Sequence, residues 1–140
     1  MLCVIGTIFF TLFIWTVWGN KALMANTVAI SSGRIPAAFS GFRIAQVSDL
    51  HNAEFGDGNA ELLKLLSESK PDIIVITGDL IDANHTDVGI ALGFAQESVR
   101  IAPTYYVTGN HEAASPQYDT LKAGLECSCT VKKQATENKR

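Results

Sequence analysis

An α/β domain built on a parallel sheet is what this sequence predicts, and three observations predict it. Short apolar runs at 43–48, 72–77 and 104–108 recur about 30 residues apart, the spacing of a βαβ unit. The stretches between them carry helical apolar periodicity and stop at Pro71 and Pro103, residues that a helix interior rejects. Each run also ends in side chains that bind metals or handle protons: Asp49-Leu50-His51, Gly78-Asp79 and Gly109-Asn110-His111-Glu112. Parallel neighbours would gather these clusters at the carboxyl edge of the sheet, where open α/β sheets bind ligands.

Residues 2–18 contain no charged side chain and are dominated by Phe, Ile, Leu, Val and Trp. As a helix they rise about 26 Å, at the short end of a bilayer span. Trp15 and Trp18 stand near the end of the run, where interfacial aromatics are expected. A single-pass membrane anchor over 1–19 is therefore predicted. The competing readings are a signal segment, which the lack of Lys or Arg before the run and of an A-x-A site disfavours, and a buried core helix. Lys21 and Arg34 follow the span, and the positive-inside rule would put the rest of the chain in the cytoplasm.

A connector rich in small residues fills 20–40, with Thr27-Val28-Ala29-Ile30 as a candidate edge strand before Pro36. After the first strand, Gly56-Asp57-Gly58 is a turn and Asn59 an N-cap for a helix over 60–70. Leu62, Leu63, Leu65 and Leu66 give that helix its apolar stripe. The second strand, 73–77, is apolar without alternation, the pattern of a strand covered on both faces. A helix over 87–101 is predicted to turn Ile90, Ala91, Phe94, Ala95 and Val99 inward. The third strand is expected at 105–108, and a last helix at 115–126 with Leu121 and Leu125 on one face. From Cys127 the pattern fails: Val131 is the one large aliphatic residue, and no strand is expected. Residues 127–140 read as a polar tail, either a native disordered terminus or out-of-frame sequence.

The formal net charge is −3 and no basic stripe is visible, which argues against a nucleic-acid partner. Cys127 and Cys129 are too few for a disulfide framework or a four-ligand zinc site, and Cys3 lies in the apolar run, where it acts as a small hydrophobe.

In extended backbone, residues i and i+2 point to the same side, so Asp49 and His51 can reach one cation. Alone, D-x-H is a weak signal and His51 reads as an exposed loop histidine. Asp79, behind Gly78 at the end of an apolar strand, is expensive unless paired or metal-bound. Asn110 offers a neutral carbonyl oxygen that ligates without adding charge. His111 could donate a proton or a hydrogen bond, and Asp82 could fix its tautomer.

Taken together, D-x-H, G-D-x-x-D and G-N-H-E, in that order and each after a strand, resemble the calcineurin-like metallophosphoesterases. The segments Phe42-Arg43-Ile44-Ala45-Gln46-Val47-Ser48-Asp49-Leu50-His51 and Pro71-Asp72-Ile73-Ile74-Val75-Ile76-Thr77-Gly78-Asp79-Leu80-Ile81-Asp82 look like the membrane-associated bacterial branch, phosphodiesterase-like. The resemblance covers about 35–126 and implies the first half of a four-layer αββα sandwich, a partial phosphoesterase domain over 41–126. It implies a hydrolase of phosphomonoesters, phosphodiesters or pyrophosphates, on a small-molecule or lipid-like substrate, with two divalent metal ions (Mn, Fe, Zn or Mg). Asp49 and His51 would bind the first metal, Asp79 would bridge, and Asn110 would bind the second. His111 would act catalytically near the leaving group, oriented by Asp82, with Glu112 structural. The branch favours the extracytoplasmic face of a membrane. The family continues into a second half with a further His ligand and a G-H-x-H pair. This chain has three histidines, and His85 reads as a loop residue, so the alternative is a non-catalytic, membrane-anchored fragment. A Rossmann-like nucleotide module is disfavoured, since 49–54 lack the glycine-rich phosphate loop.

Overall fold

The computed structural model describes residues 6–7, 9–11, 23–128 and 130–131. Four parallel strands form one sheet in the order β1 (Ile44–Val47), β2 (Ile73–Ile76), β3 (Thr104–Tyr106) and β4 (Thr130–Val131). Val47 pairs with Ile76, and Ile76 with Tyr106, so the first three strands end level. The helices that follow β1 are α1 (Ala60–Ser69), α2 (Val88–Ile101), α3 (Asn110–Ala114) and α4 (Tyr118–Ser128), with short 3-10 turns at Ala37–Phe39 and Asp57–Asn59.

Strands laid down in chain order, each joined by a right-handed crossover, put their helices on one face. The burial pattern follows from that. Val47, Ile74, Ile76, Thr104 and Tyr106 are buried against α1, α2 and α4 with Leu62, Leu66, Phe94, Leu121 and Leu125. On the opposite face Ile73, Val75 and Tyr105 are half-buried and Ile44 is 61 % exposed. The expectation that β2 is covered on both faces is thus met on one face only among the described residues.

Asn59 does precede α1, but in left-handed backbone (φ 63) and without a side-chain cap. Its Oδ1 turns inward to accept Phe55 N–H at 3.1 Å, and the residue is 1 % exposed. Asp87 is the effective cap: its carboxylate accepts Gly89 and Ile90 N–H at the start of α2. The buried stripe of α2 is Ala91, Phe94, Ala95 and Ser98, an i, i+3, i+4, i+7 series. Val99, expected inside, lies one step around the helix and is 38 % exposed; Ser98 takes its place by donating its hydroxyl to Phe94 O at 2.8 Å.

Two expectations are overturned. No strand forms at 27–30, where Val28 and Ile30 are about four-fifths exposed; a strand needs a paired neighbour, and none adjoins it. The helix expected over 115–126 is α4, at Tyr118–Ser128, and an unexpected short helix, α3, precedes it at Asn110–Ala114. A strand does follow α4: Thr130 and Val131 pair with Tyr105 and Tyr106. Among the described residues no helix is long and apolar enough to cross a membrane. The anchor expected over 1–19 lies mostly outside them.

Candidate metal centre

The pairing of β1 with β2 continues past both strands into their loops. Thr77 N–H donates to Val47 O, Asp49 N–H to Gly78 O, His51 N–H to Asp79 O and Asn52 N–H to Leu80 O, at 2.8–3.3 Å. To keep this ladder while turning the chain, Asp49, His51, Asn52 and Asp79 adopt left-handed backbone, with φ between 46° and 59°. That conformation costs about 1–2 kcal/mol per non-glycine residue. Its concentration at one edge marks a constrained site.

Gly78 and Gly109 make the second approach possible. A Cβ on Gly78 would stand 2.5 Å from Gly109 Cα, and one on Gly109 would collide with Asp79 and Glu112. The two loops therefore touch backbone to backbone. His111 N–H then donates to Asp79 Oδ1 at 2.9 Å, which fixes the Asp79 carboxylate at the start of α3.

Glu112 lies underneath and is fully buried. Its Oε2 accepts Asp79 and Gly109 N–H at 2.8 Å each, and its Oε1 accepts Leu80 N–H at 2.6 Å and Ile81 N–H at 3.2 Å. Nearby, the Tyr106 hydroxyl is buried. Burial first, and the Glu112 charge second, push its pKa far up, so it stays neutral.

Asn52 ties the loop after β1 to the loop after β2. Its Oδ1 accepts Asp82 N–H at 2.9 Å and Asp87 N–H at 3.2 Å, while its Nδ2 donates to Asp87 O at 2.6 Å. Asp82 Oδ1 accepts Asn84 and His85 N–H at 2.7 and 3.1 Å, and those bonds hold its carboxyl below the usual aspartate range.

These contacts bring the sequence-predicted residues together. Ligand atoms of Asp49, His51 and Asp79 lie within 4.8 Å of one another, as do those of His51, Asp82 and His111. His51 belongs to both groups. Its Nε2 stands 3.8 Å from Asp49 Oδ1, too far for a hydrogen bond but near enough to share a cation. Its Nδ1 is buried with no partner. An imidazole and two carboxylates gathered this closely fit a divalent cation, since mixed N and O donors suit Zn, Fe, Mn or Mg. The His51 and His111 rings meet edge to face at 4.4 Å. His111 Nδ1 accepts Ala83 N–H at 3.3 Å, so the backbone, not the Asp82 carboxylate, supplies the bond to that nitrogen. Asn110 opens α3 and is exposed.

The binding roles of Asn52 and the four-bond role of Glu112 were not foreseen from the sequence. A signal existed for Glu112. It stands three residues after Gly109, the place of the acid in a capping box.

A parallel α/β sheet whose strand ends gather Asp, His and Asn in this order defines a class, and comparison agrees with it. The family model of the calcineurin-like phosphoesterases matches residues 42–132, and the chain belongs to that family. It is 44% identical over 55 residues to an uncharacterized metallophosphoesterase, YkuE, of Bacillus subtilis, covering 38% of this chain and 19% of that protein. A transmembrane protein with metallophosphoesterase domain from Bos taurus is 30% identical over 89 residues, 62% of this chain and 20% of that one. An uncharacterized metallophosphoesterase of Campylobacter jejuni, Cj0846, is 30% identical over 95 residues, 66% and 25% of the two chains. The chain thus spans a quarter or less of the length of these relatives. No solved structure matches it.

Proposed function

We propose that this chain supplies one half of a dinuclear metal centre in a phosphoesterase that hydrolyses a phosphomonoester, phosphodiester or pyrophosphate. The observation that carries the reading is the convergence of Asp49, His51 and Asp79, with ligand atoms within 4.8 Å of one another. Asp49 and His51 hold the first cation. Asp79 has Oδ1 already fixed by His111 N–H and bridges to the second, which Asn110 also meets. When bound, such a pair supplies an activated water and charge to offset that on the transferring phosphoryl group.

His111 acts as the proton donor. The Ala83 N–H on Nδ1 leaves the proton of a neutral ring on Nε2, the nitrogen free to face a leaving oxygen. Asp82 sets the field beside it. A second reading has an observation of its own: His51, Asp82 and His111 also form a candidate ligand group, so His111 would bind a cation rather than donate. Metal content decides between them, as below.

The family resemblance implies that a further His ligand and a G-H-x-H pair complete the shell. A membrane location, through the apolar run at 2–18, rests on that run and on the printed name of the Bos taurus relative. The test is elemental analysis of the purified protein with hydrolysis of a chromogenic phosphodiester, for the chain and a longer protein containing it. Asp79→Asn is expected to abolish metal binding and turnover more completely than Asp49→Asn, because a bridging carboxylate serves both cations. Equal residual activities at saturating Mn²⁺ would refute the bridging role, and no metal in either protein would refute the centre.

A further inference from the structure

We propose that Glu112 is a positioning residue that assembles the cation-binding edge before any cation arrives. The inference rests on reading Asp79 as a cation ligand and adds what holds Asp79 in place.

Three consecutive N–H groups, those of Asp79, Leu80 and Ile81, converge on one fully buried carboxylate. Successive N–H groups in a turn form a concave anion site, and here the chain supplies its own anion from 31 to 33 residues away. The fourth donor, Gly109 N–H, belongs to the other loop. If Glu112 served only to cap α3, the Gly109 bond would suffice. Three of its four bonds cross to the strand β2 loop, where Asp79 sits in left-handed backbone at φ 54°. A burial this complete is costly for a carboxylate unless every lone pair finds a donor, so the two loops must stay in register for Glu112 to remain buried. The same register sets Asp79 Oδ1 on His111 N–H at 2.9 Å and brings Gly78 against Gly109. Asp79 is thereby preset at the start of α3 by protein contacts alone.

Two measurements test this. In metal-free protein, amide hydrogen exchange at Asp79, Leu80, Ile81 and Gly109 is expected to be as slow as at the β2 amides. Exchange at the rate of free loops overturns the proposal, and this result needs no variant. Glu112→Gln keeps the shape but turns an NH₂ group toward two N–H donors. It is expected to weaken Mn²⁺ binding, followed by electron paramagnetic resonance, by about 10- to 100-fold, to speed exchange at those four amides, and to leave the β2 amides slow. Unchanged affinity and unchanged exchange in a folded variant overturn it. If the variant fails to fold, the wild-type exchange pattern decides. Absence of Mn²⁺ binding by the wild type would sink the metal-centre reading, while the metal-free exchange would still judge Glu112.

Discussion

On the proposed reading, a single backbone contact selects the chemical role of His111. With Ala83 N–H on Nδ1 at 3.3 Å, the ring keeps its proton on Nε2 and is aimed as a donor. His111→Ala is therefore expected to lower the turnover rate by about 10²–10⁴ while metal content, measured by mass spectrometry, stays near wild type. The loss should shrink for substrates with acidic leaving groups, which need little protonation; loss of metal would instead make His111 a ligand. Asp82 yields a pH prediction. Its N–H bonds from Asn84 and His85 hold its pKa below the ordinary 3.8. A depressed folded pKa means the contribution to stability is present above that ordinary value and is lost as pH falls through the lower folded one. Carboxyl-carbon NMR titration should place the Asp82 midpoint below that of an unstructured aspartate, and a midpoint at or above it would refute the turn bonds. Asp49, His51 and Asp79 were legible in the sequence because each directly follows an apolar run. Asn52 and Glu112 were not, because their bonds reach loops about 30 residues away and exist only once the sheet has brought those loops together.

At the scale of the element, apolar spacing carried most of the fold. Leu62 with Leu66, and Leu121 with Leu125, mark faces that are buried as their i, i+4 spacing requires. Spacing alone could not reveal α3, a five-residue helix too short for periodicity and too short to persist unaided. Its start is fixed by Glu112 accepting Gly109 N–H. Capping also corrects the reading of helix starts. Asn59 has the residue type of a cap yet serves Phe55, whereas Asp87 caps α2 in fact. Asp87→Ala removes the acceptor for Gly89 and Ile90 N–H at 2.8 and 3.3 Å and is expected to cost about 1 kcal/mol, read from urea unfolding. Asn59→Ala tests the contrast: it leaves Phe55 N–H without its acceptor, so its penalty should arise from the loop before α1. An Asp87→Ala variant as stable as wild type would mean that α2 is anchored by its buried stripe alone.

Among the described residues, the sheet has one face packed by helices and one without them. Among the described residues no helix lies on the second face, yet of its side chains Ile44, Gln46, Ile73, Val75 and Tyr105 only Gln46 is strongly polar, a composition that leads us to expect a covering layer. That composition explains why β2 reads as a strand buried on both sides. Two substitutions on β2 separate the faces. Ile76 is fully buried, and Ile76→Ala is expected to destabilise the 140-residue chain by about 2–5 kcal/mol. Val75 is half-buried on the bare face, and Val75→Thr preserves the branched shape that strands favour while adding a hydroxyl. In the 140-residue chain that hydroxyl can still reach water, so the unfolding midpoint should scarcely move and binding of an apolar fluorescent dye should fall. In a longer protein whose further sequence covers this face, the same hydroxyl would be buried without a partner and cost about 1–3 kcal/mol. The difference between the two penalties measures the covering layer, and the sandwich reading requires it to be positive. An equal, small penalty in both proteins would mean that the second face stays open to solvent and that the metal centre is completed from some other direction.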